Sequence, residues 1–415
     1  MPDGIGDFFM FKFKIKVAVK QILYLLSHII PKKDNLIIFK SFPDFADNAR
    51  YLWEYIHGLS EMETVWLIAD PVICEKLNKQ GIRAYEYRFN LQNLRMVWSI
   101  LRAKYLADTH FHLNEFISKD QVFIALSHGT PLKAVHYADI HYVECDRKFK
   151  RRKITAFKYL TVTSDVSKYA QSAAFAVSPQ KCVVTGQPRN DRLFGPKAQA
   201  ELETILDVKL GDYKKIILYT PTFRVGNDDR TEGGELSQSN NIFRLNNYSN
   251  KQMQEFLQEK NCLVVAKLHP FEEKHYVNFK VHEEFALPDN VKILKTADLN
   301  NGMYTLYDFM NLFDALMTDY SSIYFDFLLL DRPIVFLLSD FNLYHKQRGL
   351  FFEDYEFWMP GPKVNNFHEL LESLHDIFVH DNFKEQRKIV NRLMNKYNDG
   401  NSSERIYSLM KKGHL

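Results

Sequence analysis

Short apolar runs recur along this chain, each long enough for one buried strand, and each is followed by polar residues. Residues 36–39, 64–69, 105–107, 122–126, 161–163 and 182–184 form a first set. Residues 215–219, 262–266, 291–294, 315–317 and 333–337 form a second. Apolar runs without alternation suit strands covered on both faces. Residues 48–59 show helical spacing instead, with Tyr51, Leu52, Tyr55 and Ile56 on one side. Strands alternating with helices argue for parallel sheets packed under helices. At 415 residues the chain exceeds what a single core usually organises. The expectation is therefore an α/β protein of two Rossmann-like domains facing one cleft, 34–195 and 196–415, hinged near residues 195–200. Residues 225–250 are polar and lack periodicity, which reads as a long surface loop.

A net charge of only +3 does not argue for nucleic acid. Cys74, Cys145, Cys182 and Cys262 lie far apart, so no zinc ribbon or dithiol site is indicated. Residues 8–30 are apolar but broken by Lys12, Lys14, Lys16, Lys20, Gln21 and His28. A secretion signal needs an unbroken apolar stretch, and a bilayer span needs roughly 20 mostly apolar residues. The pattern suits an amphipathic helix in the membrane interface, with Lys32 and Lys33 near anionic headgroups. A helix packed on the protein's own body would show the same pattern. Residues 1–33 are expected to form this membrane-associating leader.

The chemistry-bearing residues stand just after the apolar runs. Thr318-Asp319-Tyr320-Ser321-Ser322 follows one run and precedes an amphipathic stretch. A strand-to-helix turn of this kind presents unpaired N–H groups to phosphate; an ordinary serine cap on a core helix would look the same. Ser127-His128-Gly129-Thr130-Pro131 follows another run, and Lys267-Leu268-His269-Pro270 a third. A His at the C-terminal end of a strand faces the crevice where α/β ligands bind and can take a proton near neutral pH. Either His could equally be structural. Two of them facing one cleft would allow one to accept a proton while the other stabilises a leaving phosphate. Gly186-Gln187-Pro188-Arg189-Asn190-Asp191, Thr220-Pro221-Thr222-Phe223-Arg224 and Lys346-Gln347-Arg348-Gly349 each offer an Arg, suited to bidentate phosphate recognition.

Taken in order and spacing, these segments resemble the CDP-glycerol glycerophosphotransferase family of teichoic-acid primases and polymerases and related capsule enzymes. The resemblance runs from about Asp47 to Pro362 and includes the Asp47-Asn48 pair and Pro360-Gly361-Pro362. It implies a GT-B fold with an N-terminal acceptor domain and a C-terminal donor domain, and no metal or other cofactor. Carried over, His128 would be the general base and His269 would contact the donor pyrophosphate. Thr318, Ser321 and Ser322 would bind phosphate, with Arg348 as cationic partner. Arg189, Asn190, Thr220, Thr222, Arg224, Lys267 and Gly349 complete the donor set, with Asp319 and Asp326 orienting the turn or a donor hydroxyl. Asp47, Asn48, Gly129, Thr130 and Pro131 would form the acceptor side and its loop.

The implied reaction moves glycerol phosphate from CDP-glycerol to a hydroxyl of a polyprenyl-diphosphate-linked saccharide or a growing poly(glycerol phosphate) chain, releasing CMP. CDP-ribitol as donor, or a sugar-transferring GT-B enzyme, are the alternatives. The leader and the basic stretch 147–153 fit a peripheral enzyme on the cytoplasmic face of the membrane; a solvated charged loop would also account for the stretch. The short leader suits a primase or a compact polymerase, and a homo-oligomer stays open.

Overall fold

The structure, a computed structural model, describes residues 21–90, 93–114, 117–130, 132, 134–138, 156–222, 241–270, 272–273 and 287–412. Two parallel sheets organise them. The first contains β1 (Lys33–Lys40), β2 (Glu63–Ile68), β3 (Ala84–Glu86), β4 (Ala103–Asp108), β5 (Val122–Ala125), β6 (Tyr159–Val162) and β7 (Cys182–Val184), in the order β3-β2-β1-β4-β5-β6-β7. The second contains β8 (Lys215–Thr220), β9 (Cys262–Ala266), β10 (Val291–Ile293), β11 (Ala315–Thr318), β12 (Ile334–Leu337) and β13 (Lys363–Val364), in the order β10-β9-β8-β11-β12-β13. In each sheet the strand order reverses once, between β1 and β4 and between β8 and β11. Such reversal points open a crevice at the C-terminal ends of the strands.

The apolar runs are continuous because each strand is buried from both sides. Ile37 and Phe39 enter one core cluster and Leu36 and Ile38 the opposite one. Ile217 and Tyr219 likewise point away from Ile216 and Leu218. The two-residue period of a strand thus feeds two apolar layers per sheet, each covered by helices. β3 and β13 have no counterpart among the expected runs. They are edge strands of sequence AYE and KV, held by one neighbour each, and they carry no apolar run, unlike the equally short edge strands β7 and β10.

Two segments depart from the sequence reading. The supposed surface loop is described from Asn241 on, and there Ile242, Phe243 and Leu245 are buried in the core of the second sheet. Their hydrophobicity was hidden by the polar residues around them. The last helix, Ser402–Lys412, leaves the second sheet and packs on the first. Ile406, Leu409 and Met410 join the cluster of Leu52 and Ile56, and Tyr105 Oη donates to the Met410 carbonyl at 3.1 Å. Residues 21–29 are helical, and Leu23 packs against the first core while Ile22, Leu25, Leu26 and Ile29 stay exposed. Among the described residues, no helix is long and apolar enough to cross a membrane.

Ile406→Ala is expected to cost about 2–5 kcal/mol through the cavity it leaves. A denaturant melt followed by tryptophan fluorescence checks this, because Trp53 and Trp66 belong to the same cluster.

Candidate active site

The loops after β5, β8, β9 and β11 converge on one cavity of about 490 Å³ between the two sheets. The first half supplies Ser127, His128 and Gly129. The second supplies Thr220, Thr222, Lys267, His269, Ser321 and Ser322. Both histidines therefore reach one space from opposite halves. Gly129 makes the approach possible. Its φ is +131°, and a Cβ there would lie 2.9 Å from an Arg189 guanidinium nitrogen and 3.4 Å from Ser322 Oγ. The helix after β11 is short, Ile323–Phe327, and Ser322 stands at its cap without a side-chain capping bond. Its hydroxyl thus remains on the cavity wall rather than serving as an ordinary cap.

Other residues of the same motifs are set back and hold the walls in place. Arg189 is buried, with Nη1 2.8 Å from Asp47 Oδ1 and 2.9 Å from the His128 carbonyl. Its Nη2 is 2.8 Å from Asp326 Oδ2, and its guanidinium lies 4.7 Å from the centre of the Tyr307 ring. Burial opposes its charge, but Asp326, Tyr307 and Asp47 outweigh that and push its pKa above the ordinary value. Asp326 also accepts from Asn190 Nδ2 at 2.8 Å and from Tyr307 Oη at 2.6 Å. Asn48 Nδ2 donates to the carbonyls of Leu126 and Ser127, and its Oδ1 accepts from the Arg189 amide. Arg189, Asn190, Asp326, Asp47 and Asn48 thus form a polar strut between the halves that ends on the backbone of His128.

A second bracket forms the floor of the donor half. Thr318 is fully buried and its Oγ1 donates to the Thr220 carbonyl at 2.7 Å, so its hydroxyl joins β11 to β8 instead of facing the cavity. Asp319 accepts from the Thr222 amide at 2.8 Å and from Thr222 Oγ1 at 2.6 Å. Arg244 lies 3.6 Å from Asp319 and donates to the Thr222 carbonyl at 2.9 Å and to Glu272 at 2.5 Å. Lys267 Nζ is 2.8 Å from Thr296 Oγ1 and 3.5 Å from Glu273. Burial lowers its pKa, and Glu273 works against that shift. Thr130 is turned inward, 3.1 Å from both Thr163 Oγ1 and Ser167 Oγ. Gly349, at φ +68°, accepts from the Ala134 amide at 3.1 Å and so joins the donor half to the loop beyond His128. Pro131, Arg224, the basic stretch 147–153 and the side chain of Arg348 lie outside the described residues.

The sequence reading passed over His110, whose ring stacks on His128 with centroids 4.5 Å apart and planes 10° apart. Thr109 Oγ1 lies 2.8 Å from His110 Nδ1. His110 follows β4 at the reversal point, so the rule that drew attention to His128 would have found it too. Burial, then the neighbouring His128, push its pKa down to about 4. Tyr307 was also missed; it lies in a short 3-10 segment without strand or helix period. Arg244 was missed because it sits in the stretch read as loop. Among the described residues, no group of His, Cys, Asp or Glu is arranged to hold a metal ion.

Two parallel-sheet α/β domains with a cavity lined from both define a GT-B architecture. The model of the CDP-Glycerol:Poly(glycerophosphate) glycerophosphotransferase family matches residues 22–412, and the chain belongs to that family. The teichoic acid glycerol-phosphate transferase of Staphylococcus aureus is 28% identical to it, over 96% of this chain and 98% of the relative. The teichoic acid poly(glycerol phosphate) polymerase of Bacillus spizizenii is 26% identical over 90% of each. In fold, the chain is similar to the wall teichoic acid polymerase TagF, with a TM-score of 0.74 at 20% identity, covering 99% of this chain and 98% of that one.

Removing the carboxylate of the strut by Asp326→Ala would strand Arg189 as a buried, half-paired charge. The expected loss is about 3–5 kcal/mol in an equilibrium denaturant melt. The depressed pKa of His110 gives a separate pH prediction. The unfolded chain takes up this proton near pH 6.5, while the folded chain resists until about 4. Stability should therefore fall as pH drops through that window, and His110→Asn should flatten this part of the Tm–pH curve.

Proposed function

We propose that this chain transfers glycerol phosphate from CDP-glycerol to a hydroxyl of a lipid-linked saccharide or a growing poly(glycerol phosphate) chain, releasing CMP. The observation that carries this reading is the meeting of His128 and His269, from opposite halves, in one cavity. An acceptor hydroxyl oxygen attacks the β-phosphorus, the bond from that phosphorus to the bridging oxygen breaks, and CMP departs with the electron pair. His128 takes the hydroxyl proton. His269, Ser321 and Ser322 meet the pyrophosphate, where positioned donors stabilise the developing charge. Thr220 and Thr222 stand on the same wall. Lys267 supplies positive charge nearby, and Arg348 is assigned the same task from its place in the motif. Arg189, Asn190, Asp319 and Asp326 serve the donor indirectly, through the walls they brace.

We place the enzyme at the membrane surface. Ile22, Leu25, Leu26 and Ile29 recur at helical spacing and are 39–77% exposed, an apolar stripe fit for the lipid interface. A lipid-linked acceptor would then be presented in the plane where the helix lies.

Incubation with CDP-glycerol or CDP-ribitol, each with a lipid-linked disaccharide analogue, tests the reading through CMP release and product mass. CMP and a glycerol-phosphate mass increment are expected; UDP release from a nucleotide sugar, with no CMP from either polyol donor, would sink it. His128→Ala should cut turnover by roughly 10²-fold or more while leaving CDP-glycerol binding nearly intact. His269→Ala should impair both, as judged by calorimetric titration and initial rates.

A further inference from the structure

Asn48 and Arg189 hold the carbonyls of Ser127 and His128 and so fix this stretch of backbone. A histidine ring still turns about its last side-chain torsion, whose wells are broad, and His128 is exposed. The neighbouring loop meets that ring. β4 and β5 pair in parallel with Asp108 opposite Ala125, so residues two and three places beyond these ends lie side by side. His110 and His128 are those residues, and their rings stack with centroids 4.5 Å apart and planes at 10°. His110 is itself held. Its amide donates to Asp108 Oδ1 at 2.9 Å, and its Nδ1 is 2.8 Å from Thr109 Oγ1. Thr109 is buried, and its Oγ1 also accepts from the Phe42 amide at 3.2 Å. Asp108 is fully buried; its Oδ1 lies 3.2 Å from His112 Nδ1 and its Oδ2 accepts from the Leu113 amide at 3.0 Å. The Phe42 ring meets His110 at 78°, with centroids 5.6 Å apart.

A parallel ring on a fixed loop limits how far its neighbour can tip, and a stacked aromatic pair is worth roughly two- to tenfold in population. A general base works only when its nitrogen points at the proton it takes. The charge of the support matters as well, because a cationic neighbour would oppose the proton that the base accepts. Burial first, then His128, push the His110 pKa down to about 4; Asp47 and Asp108 act against that fall and His112 adds to it. His110 is thus uncharged at neutral pH. We propose that His110 is a positioning residue: its ring is a rest that sets the plane of the His128 imidazole for proton abstraction from the acceptor hydroxyl. His128 lines the cavity, whereas His110 is not part of the wall that the described residues form, so it acts through His128. This inference rests on the transferase reading above. It also gives Asp108 and Thr109 a task, as the groups that hold the rest in place.

The test combines initial rates of CMP release, with CDP-glycerol and a lipid-linked disaccharide analogue, and calorimetric titration of CDP-glycerol. His110→Ala should lower kcat roughly tenfold and leave donor KM and CDP-glycerol affinity within about twofold. His110→Phe, which keeps a flat ring but no titratable nitrogen, should hold kcat within about threefold of wild type. His110→Asn keeps a polar group beside Thr109 without a ring; it should match His110→Ala, and it gives the readout if that variant does not fold in a thermal melt. A merely structural role would neither separate kcat from donor binding nor be restored by the phenyl ring. Unchanged kcat in the ringless variants, a kcat in His110→Phe as low as in His110→Ala, or a matching loss of CDP-glycerol affinity would overturn the inference, while an active wild type keeps the transferase reading. A wild type that releases no CMP would overturn both.

Discussion

Arg189 carries its positive charge in a place almost closed to water, and the geometry of the cleft depends on how that charge is balanced. Its guanidinium spends one edge on Asp47 and the His128 carbonyl and another on Asp326, with the Tyr307 ring beneath. Asp47 and His128 belong to the first half, Asp326 and Tyr307 to the second. The fixed fork of arginine suits such a junction, since it can direct donors to several partners at set angles. A lysine would supply the charge but not the fork. Because one branch ends on the carbonyl of His128, the contact that joins the halves also sets the position of the proposed base.

The motifs divide into residues that face the cavity and residues that brace those that do. His128, His269, Thr220, Thr222, Lys267, Ser321 and Ser322 line the space. Thr318, Asp319, Arg189, Asn190 and Asp326 stand behind it, each hydrogen-bonded to other protein groups. Positioned dipoles stabilise charge well only when they cannot relax, so a site proposed for phosphoryl transfer depends on bracing residues as well as contacting ones. The pairing of Asp319 with the Thr222 turn shows this economy, since one carboxylate holds both the amide and the hydroxyl of a residue on the wall. Arg244 and Glu272 hold the same turn from the far side.

The interior strands, their parallel pairing and the motifs at their ends were legible in the sequence, since apolar runs of strand length followed by polar turns are what a doubly covered parallel sheet requires. The edge strands β3 and β13 were not, because AYE and KV hold no apolar run, unlike the equally short edge strands β7 and β10. Ile242, Phe243 and Leu245 escaped notice because their burial comes from packing under distant elements rather than from local period. The same holds for the last helix, whose amphipathic face says that it must be covered but not by which sheet.

The sequence by itself determined the class of fold, the two-half plan and the residues where chemistry is concentrated, because those depend on local hydrophobic period and on turn chemistry at strand ends. Only the tertiary structure decided which motif residues face the cavity and which are spent on holding it. Arg189 and Arg348 look alike as sequence, each an Arg beside a turn. The burial of Arg189 among Asp47, Asp326 and Tyr307 depends on contacts between residues more than a hundred positions apart, and no local pattern encodes those.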